Sequence, residues 1–88
     1  MAMKVVKKSG KVEEYLPGKL ADSIRKANEK TEEVIDVDGL LRDFARIAEG
    51  KEHISTGDID IITYGLLYSK GFHQTLLTYI SFDEKDKK

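Results

Sequence analysis

Five lysines close to the N-terminus form the part of this sequence best suited to binding an anion. They are Lys4, Lys7, Lys8, Lys11 and Lys19. Like charges so close together repel one another, and an anion bound between them relieves that repulsion. A triphosphate is a suitable anion, because lysine binds phosphate well as a point charge. Lysines on an exposed edge strand also discourage pairing with a second sheet, and on spacing alone this structural explanation is the stronger one.

The remaining polar residues do not form a pattern typical of an enzyme. The sequence has no nucleophile elbow in which an oriented base would activate a serine. His53 and His73 lie in different segments and lack the spacing of metal ligands. Three acidic pairs have the chemistry to hold a divalent ion or to act as acid and base, namely Glu13-Glu14, Glu32-Glu33 and Asp58-Asp60. In a chain this charged, solvated faces and helix caps explain them more simply, so we expect no catalytic activity.

The composition predicts one small domain. We assign it to residues 1–88, with a core at about 3–82 and a charged tail at 83–88. The 15 basic residues are balanced by 16 acidic ones, which disfavours nucleic-acid binding because such proteins usually have a basic excess. Cysteine is absent, and this excludes disulfides and thiolate zinc sites. The sequence contains neither an apolar run long enough to span a membrane nor a signal-peptide pattern, so we expect a cytoplasmic protein.

A predicted β-hairpin, with the sequence MKVVKKSGKVEEY, carries most of the lysine cluster. Ser9-Gly10 supplies its tight turn, where glycine takes a positive φ without steric cost. Pro17 stops the second strand, and its fixed φ suits the first turn of a helix. Apolar residues three to four positions apart predict that this helix runs from Gly18 to about Lys30.

A second helix is predicted after a cap at Asp36 or Asp38, and Gly50 ends it. Its apolar face consists of Leu40, Leu41, Phe44, Ile47 and Ala48. The short segment His53–Ser55 is too brief to assign from its pattern alone, and a third strand is one interpretation of it.

Two more helices complete the predicted fold. Ser55 with Asp58 resembles a capping box and opens a helix that runs to Gly71. The last helix begins at about Phe72 and ends before the charged tail. This order predicts an α+β fold, in which an N-terminal β-hairpin, part of a small two- to three-stranded sheet, caps a four-helix bundle. We expect a single core that buries Ile24, Leu41, Phe44, Ile62, Leu66, Leu77 and Ile80.

The run VVKKSGKVEEYLPGKLADSIRKA resembles the opening of the ATP-cone domain. This domain is the nucleotide-sensing module at the N-terminus of many ribonucleotide reductases and in the repressor that controls their genes. The family pattern contains Val, a basic pair, a turn ending in Gly, an acidic residue, an apolar strand end, and Lys followed by Ile or Leu. The counterparts here are Val5, Lys7-Lys8, Ser9-Gly10, Glu13, Tyr15 and Lys19-Leu20. Later landmarks match as well, with Thr56 and Asp58-Ile59 opening the third helix and LLTYISF near the end of the chain.

The resemblance implies a site for ATP or dATP and a role for each matched residue. Val5 would offer backbone hydrogen bonds near the base, and Glu13 would accept a hydrogen bond from the adenine amino group. Lys7 and Lys8 would hold the phosphates, and Lys19 would lie close to both the base and the phosphates. A helix N-terminus and a lysine-rich hairpin both favour an anion between them, which agrees with these roles.

Two further positions of the implied site lie on the third helix. Thr56 would line the pocket, and Asp60 would lie near the ribose and the phosphates. An Asp60 carboxylate beside a triphosphate is repulsive unless magnesium intervenes or the ribose hydroxyls donate to it. The sequence departs from the family pattern at Asp60, where His or Glu is common, and at Lys8 (for Arg), Ser9 (for Asp or Asn), Leu16 (for a polar residue that helps read adenine) and Asp83 (for Arg).

Two functions are compatible with this sequence. The first is a stand-alone ATP-cone that binds ATP or dATP and passes the signal to its own oligomer or to a regulated enzyme partner, which requires two states of different nucleotide affinity. The second is a protein–protein interaction module whose pocket no longer binds nucleotide, and the residues that favour it are Leu16 and Asp60. Reductase chemistry and the repressor's zinc ribbon both need cysteines, so we expect the sensing module alone.

Overall fold

The computed structural model describes residues 3–86, with side chains described through Phe82. The described residues form three short strands and four helices, in the order β-β-α-α-β-α-α. The strands are β1 (Lys4–Val6), β2 (Val12–Glu14) and β3 (His53–Ser55), and the helices are α1 (Pro17–Glu29), α2 (Val37–Ile47), α3 (Thr56–Ser69) and α4 (His73–Asp86). The predicted α+β class is therefore confirmed. Among the described residues, none of the helices has the length and apolar character that crossing a membrane requires.

The three strands form one sheet in the order β2-β1-β3. β1 pairs with β2 in antiparallel fashion and with β3 in parallel fashion, so the N-terminal strand is the middle one. Parallel pairing requires a long crossover between the two strands, and here α1 and α2 provide it. The short third strand is thus present, and its parallel pairing is the feature that the sequence pattern did not specify.

The hairpin turn lies where the sequence predicts it. The Gly10 N–H donates to the Lys7 carbonyl at 2.8 Å, and the Lys7 N–H donates to the Lys11 carbonyl at the same distance. Gly10 has a φ of 89°, a left-handed conformation that glycine adopts without a Cβ clash. The turn residues Lys8 and Ser9 are exposed at the tip of the hairpin.

Side-chain caps and a proline define the helix starts. Pro17 occupies the first position of α1, where its missing N–H costs nothing. Of the two candidate caps for α2, Asp36 is the one used, since its carboxylate accepts from the Gly39 N–H at 3.0 Å. The Ser55 hydroxyl oxygen accepts from the Asp58 N–H at 3.0 Å, which confirms the predicted cap of α3.

The core lies between the helices and the inner face of the sheet. Ile24 and Phe44, two of the predicted core residues, are fully buried. Leu41, Ile62 and Leu66 are half-buried and pack against that core. The expectation for Ile80 is met only in part, because this side chain is also half-buried.

The prediction that Leu77 is buried in the core is wrong, because 69% of its surface is exposed. Between His73 and Phe82, where the side chains of α4 are described, the buried residues are Thr75 and Tyr79. Leu77 is two positions from each of them, which on an α-helix is about 200° around the axis, so it points away from the bundle. Ile47 at the end of α2 is likewise half exposed, although the pattern placed it on the apolar face.

A carboxylate from the α1–α2 connection fixes the start of α4. The Glu33 oxygens accept from the Thr75 N–H at 2.7 Å and from the Gln74 N–H at 3.1 Å. Desolvation tends to raise the pKa of Glu33, but the hydrogen bonds from Thr75 and Gln74 outweigh it and hold the pKa below its ordinary value. Asn28 secures the connection, because its amide donates to the Glu33 carbonyl at 2.7 Å. The backbone of α4 continues through the start of the predicted charged tail to Asp86, and residues 87–88 lie outside the described part.

Candidate functional site

A cleft of about 180 Å³ opens between the hairpin, the start of α1, α3 and α4. Its lining consists of Val5, Glu13, Glu14, Leu16, Lys19, Leu20, Ser23, Ile59 and Tyr79. Sites for whole drug-sized ligands usually measure about 300–1,000 Å³. The cleft therefore suits a base or a nucleoside, and a longer ligand would extend from it along the protein surface.

The helix α1 contributes one continuous strip to this cleft. Leu16, the N-cap residue, is three and four positions before Lys19 and Leu20, and Ser23 is four and three positions after them, so the four residues lie on one face at the helix start. Pro17 fixes where the helix begins, and thereby where Lys19 stands. The strip combines two leucines with one hydroxyl and one ammonium group.

The hairpin contributes a charged face. The register pairs Val5 with Glu13, and the turn pairs Lys7 with Lys11, so these four side chains lie on the same face of the two strands. Lys7 Nζ lies 3.3 Å from Glu13 Oε2, and Lys11 Nζ lies 3.6 Å from Glu13 Oε1. The hydrogen bond from Lys7, together with the charges of Lys7, Lys11 and Lys19, holds the pKa of Glu13 below its ordinary value. Glu13 is therefore an ionised acceptor at neutral pH.

The N-terminus of α3 lies at the same end of the sheet as the hairpin turn that follows β1. β1 ends at Val6 and the parallel strand β3 ends at Ser55, and these two residues are register partners. Lys7 and Thr56, the next residue of each strand, consequently leave the sheet side by side. Backbone N–H groups at a helix start attract anions, so two sources of positive potential meet here.

The structure brings only some of the predicted site residues into the cleft. Val5, Glu13 and Lys19 line it. Lys7 adjoins it through its ion pair with Glu13. Among the described residues, the cleft lining does not include Lys8, which is exposed in the hairpin turn, or Thr56 and Asp60, which are half-buried on α3.

Six of the nine residues that line the cleft were not predicted as site residues: Glu14, Leu16, Leu20, Ser23, Ile59 and Tyr79. Leu20 and Ser23 could have been found from their helical spacing with Lys19. Tyr79 lies within the LLTYISF segment of the family resemblance, although the sequence alone gives no reason to place it in a cleft. Leu16, which departs from the family pattern, and Ile59, which matches it, both contribute apolar walls.

The groups that line the cleft are suited to binding a ligand. In the described part of the chain, no group of three or more His, Asp or Glu side chains is placed to hold a metal ion. The cleft offers apolar walls, the carboxylates of Glu13 and Glu14, and the Lys19 ammonium group, while Lys7 and Lys11 adjoin it through their ion pairs with Glu13. These groups match a ligand that has an apolar ring, a hydrogen-bond donor on that ring and an anionic end.

A second surface, which we call the outer face, lies on the far side of α3 and α4. It comprises Ile61 and Tyr68 of α3 with His73 and Leu77 of α4. Ile61, Tyr68 and Leu77 are 66%, 67% and 69% exposed. The rings of Tyr68 and His73 stack with centroids 5.3 Å apart, which joins the two helices across the surface. From residue 61 to residue 82 the only Asp, Glu, Lys or Arg is Lys70, so the outer face is nearly uncharged.

A comparison with protein families gives one match. The model of a family described as the ATP cone domain matches residues 3–88, which is essentially the whole chain. No curated protein matches the sequence significantly.

Proposed function

The chain belongs to the ATP-cone family, a family of nucleotide-binding regulatory modules, and on that premise we propose that it binds ATP or dATP as a regulatory ligand. The observation that carries this proposal is the composition of the cleft, in which the Glu13 carboxylate stands between apolar walls and a group of lysines. A role without catalysis is in keeping with the family, whose domain is regulatory. We retain the cytoplasm as the expected compartment.

The base belongs in the cleft. Leu16, Leu20 and Ile59 supply apolar contacts to a purine ring, and Val5, which also lines the cleft, is proposed to offer its backbone to the base. Glu13 is an acceptor without a proton of its own, so it favours a base that presents an amino group at that position. This preference selects adenine over a base that presents a carbonyl there.

The phosphates belong outside the cleft, along the hairpin face that carries Lys7 and Lys11. Lys7 comes from the hairpin and Lys19 from α1, and Lys8 lies exposed in the hairpin turn. The N-terminus of α3, with Thr56, lies at the end of the sheet where β1 leads into that turn. Asp60 lies one helical turn after Thr56. We propose that it faces the ribose hydroxyls or a magnesium ion bound to the phosphates, since a bare carboxylate opposes a triphosphate.

α4 offers a route by which binding is transmitted. This helix carries Tyr79 into the cleft and Leu77 onto the outer face. A small rotation of α4 on nucleotide binding would therefore change both surfaces at once. We propose that the outer face docks on a second copy of the chain, because two identical, nearly uncharged apolar faces complement each other. A regulated enzyme with a similar face is the other partner class.

The decisive experiment is an equilibrium titration of the protein with ATP, dATP and GTP, each with and without magnesium. The proposal expects saturable binding of ATP or dATP at a stoichiometry of one per chain, with GTP weaker. Sedimentation of the same samples reports whether nucleotide changes the assembly. Absence of binding by all three nucleotides would refute the sensor function.

An interaction module without nucleotide is the competing function. Two observations favour it, namely the exposed outer face and the engagement of Lys7 and Lys11 by Glu13. If the protein is such an interaction module, the extent of its self-association should be the same with and without nucleotide.

A further inference from the structure

Resting on the nucleotide site proposed above, we infer that Glu13 exchanges partners on binding: it competes with the phosphates for Lys7 and Lys11 and turns to the base only when the phosphates have taken these lysines. The exchange makes recognition of the base depend on the presence of the phosphates.

The geometry of the ion pairs supports the exchange. Each Glu13 oxygen holds one lysine, with Lys7 at 3.3 Å from Oε2 and Lys11 at 3.6 Å from Oε1. Both oxygens are therefore engaged by lysines that lie outside the cleft lining. Glu13 also lines the cleft, so it contacts both the proposed base site and the lysines proposed to bind the phosphates.

The exposure of these groups makes the exchange easy. The side chains of Lys7 and Lys11 are 46% and 69% exposed, against 30% for Glu13. Ion pairs of such exposure are weak and are screened by water and salt. A triphosphate carries more charge than a carboxylate and binds lysine through several oxygens, so it displaces Glu13.

The exchange has two consequences of opposite sign. Glu13 weakens the binding of phosphates alone, because it neutralises the lysines and repels the incoming anion. Glu13 also strengthens the binding of an amino-bearing base, but only after the lysines release it. A nucleoside without phosphates must compete with two ammonium groups for the same carboxylate. The pair thus favours a complete nucleotide over either of its parts.

The test uses the Glu13→Gln variant with inorganic tripolyphosphate, ATP and inosine triphosphate at low salt. Inosine carries a carbonyl where adenine carries its amino group. Removing an exposed ionic competitor should raise tripolyphosphate affinity about two- to fivefold. The preference for ATP over inosine triphosphate should fall in the same variant. Glu29→Gln, an exposed residue outside the cleft lining, makes the same change of charge and should alter neither quantity.

Each outcome decides the matter. If Glu13 merely holds the lysines in place, Glu13→Gln lowers tripolyphosphate affinity, and the exchange is refuted. Unchanged affinity refutes it as well. If the wild-type protein binds neither ATP nor tripolyphosphate, the proposed function fails, yet the competition survives when Glu13→Gln gains tripolyphosphate binding. If neither protein binds tripolyphosphate, the exchange is refuted, and ATP binding by the wild-type protein decides separately whether the proposed function holds. An NMR titration adds a second readout, since bound tripolyphosphate should return the pKa of Glu13 toward its ordinary value.

Discussion

Replacing Glu33 by Ala should destabilise the domain more than any other exchange of an exposed or half-buried carboxylate. The Glu33 side chain caps α4 with hydrogen bonds of 2.7 Å and 3.1 Å to two consecutive backbone N–H groups. Loss of a helix N-cap costs about 0.5–2 kcal/mol, and a charged acceptor with two donors belongs in the upper half of that range. We therefore expect a loss of about 1.5 kcal/mol. For a domain of this size, that corresponds to a fall of about 6–12 °C in Tm.

The assay is thermal and urea unfolding of Glu33→Ala, with Glu32→Ala as the matched control. Glu32 is the neighbouring residue, is exposed, and carries the same charge. Glu33→Gln adds a finer test, because its amide retains only one acceptor oxygen and should lose about half as much stability. If Glu33→Ala costs no more than Glu32→Ala, the cap does not stabilise α4, and the reasoning is wrong.

The same contact predicts a pH dependence. The folded-state pKa of Glu33 is lowered, so its contribution is complete above the unfolded pKa of about 4.5 and disappears as pH falls through the folded pKa. The difference in unfolding free energy between wild type and Glu33→Gln should therefore be constant near neutral pH and shrink below about pH 4.5. A difference that grows on acidification would contradict the assigned direction.

Three further predictions concern binding and assembly. Lys7→Ala should weaken ATP binding by more than about 1 kcal/mol, or at least fivefold. Lys26→Ala, which changes an exposed α1 lysine outside the cleft lining, should have little effect in the same calorimetric titration. Equal effects would mean that the hairpin lysines form only a solvated surface. Leu77→Asp should abolish self-association seen by sedimentation, since the residue is exposed on the outer face, and the variant should still bind one ATP per chain because Leu77 lies outside the cleft lining; a dimer that survives this exchange would lie elsewhere. If a bridging magnesium ion joins Asp60 to the phosphates, Asp60→Ala should remove the magnesium dependence of ATP binding. Tight ATP binding that neither magnesium nor this exchange alters would mean that Asp60 lies outside the site.

Local signals in the sequence specified most of the elements. The Ser9-Gly10 turn, the Pro17 start and the Ser55 cap each depend on a few neighbouring residues, and all three are found. The failure at Leu77 has a tertiary cause, because α4 carries apolar residues around much of its circumference and its partner helix decides which of them are buried. Thr75 takes the core position instead, with its hydroxyl satisfied by the Asn28 amide at 3.3 Å. No local pattern reveals such a partner on another helix.

The candidate site was predictable to the extent that its residues lie close together in the sequence. Glu13 and Lys19 flank the turn from hairpin to helix, and both line the cleft. Ile59 and Tyr79 come from the distant second half, and only the assembled fold brings them there. The pairing of Glu13 with Lys7 and Lys11 follows from strand register, which sequence spacing around the turn suggests but does not fix.

The position of β1 in the middle of the sheet has a consequence for the order of folding. The antiparallel partner β2 follows after a short turn, and such hairpins form within about 1–10 μs. The parallel partner β3 comes from the other half of the chain, so its pairing requires closure of a long loop and is slower. The lysine hairpin is thus expected to exist before Thr56 and the start of α3 reach it. A chain emerging from the ribosome would expose the hairpin lysines well before Ile59 and Tyr79 complete the cleft.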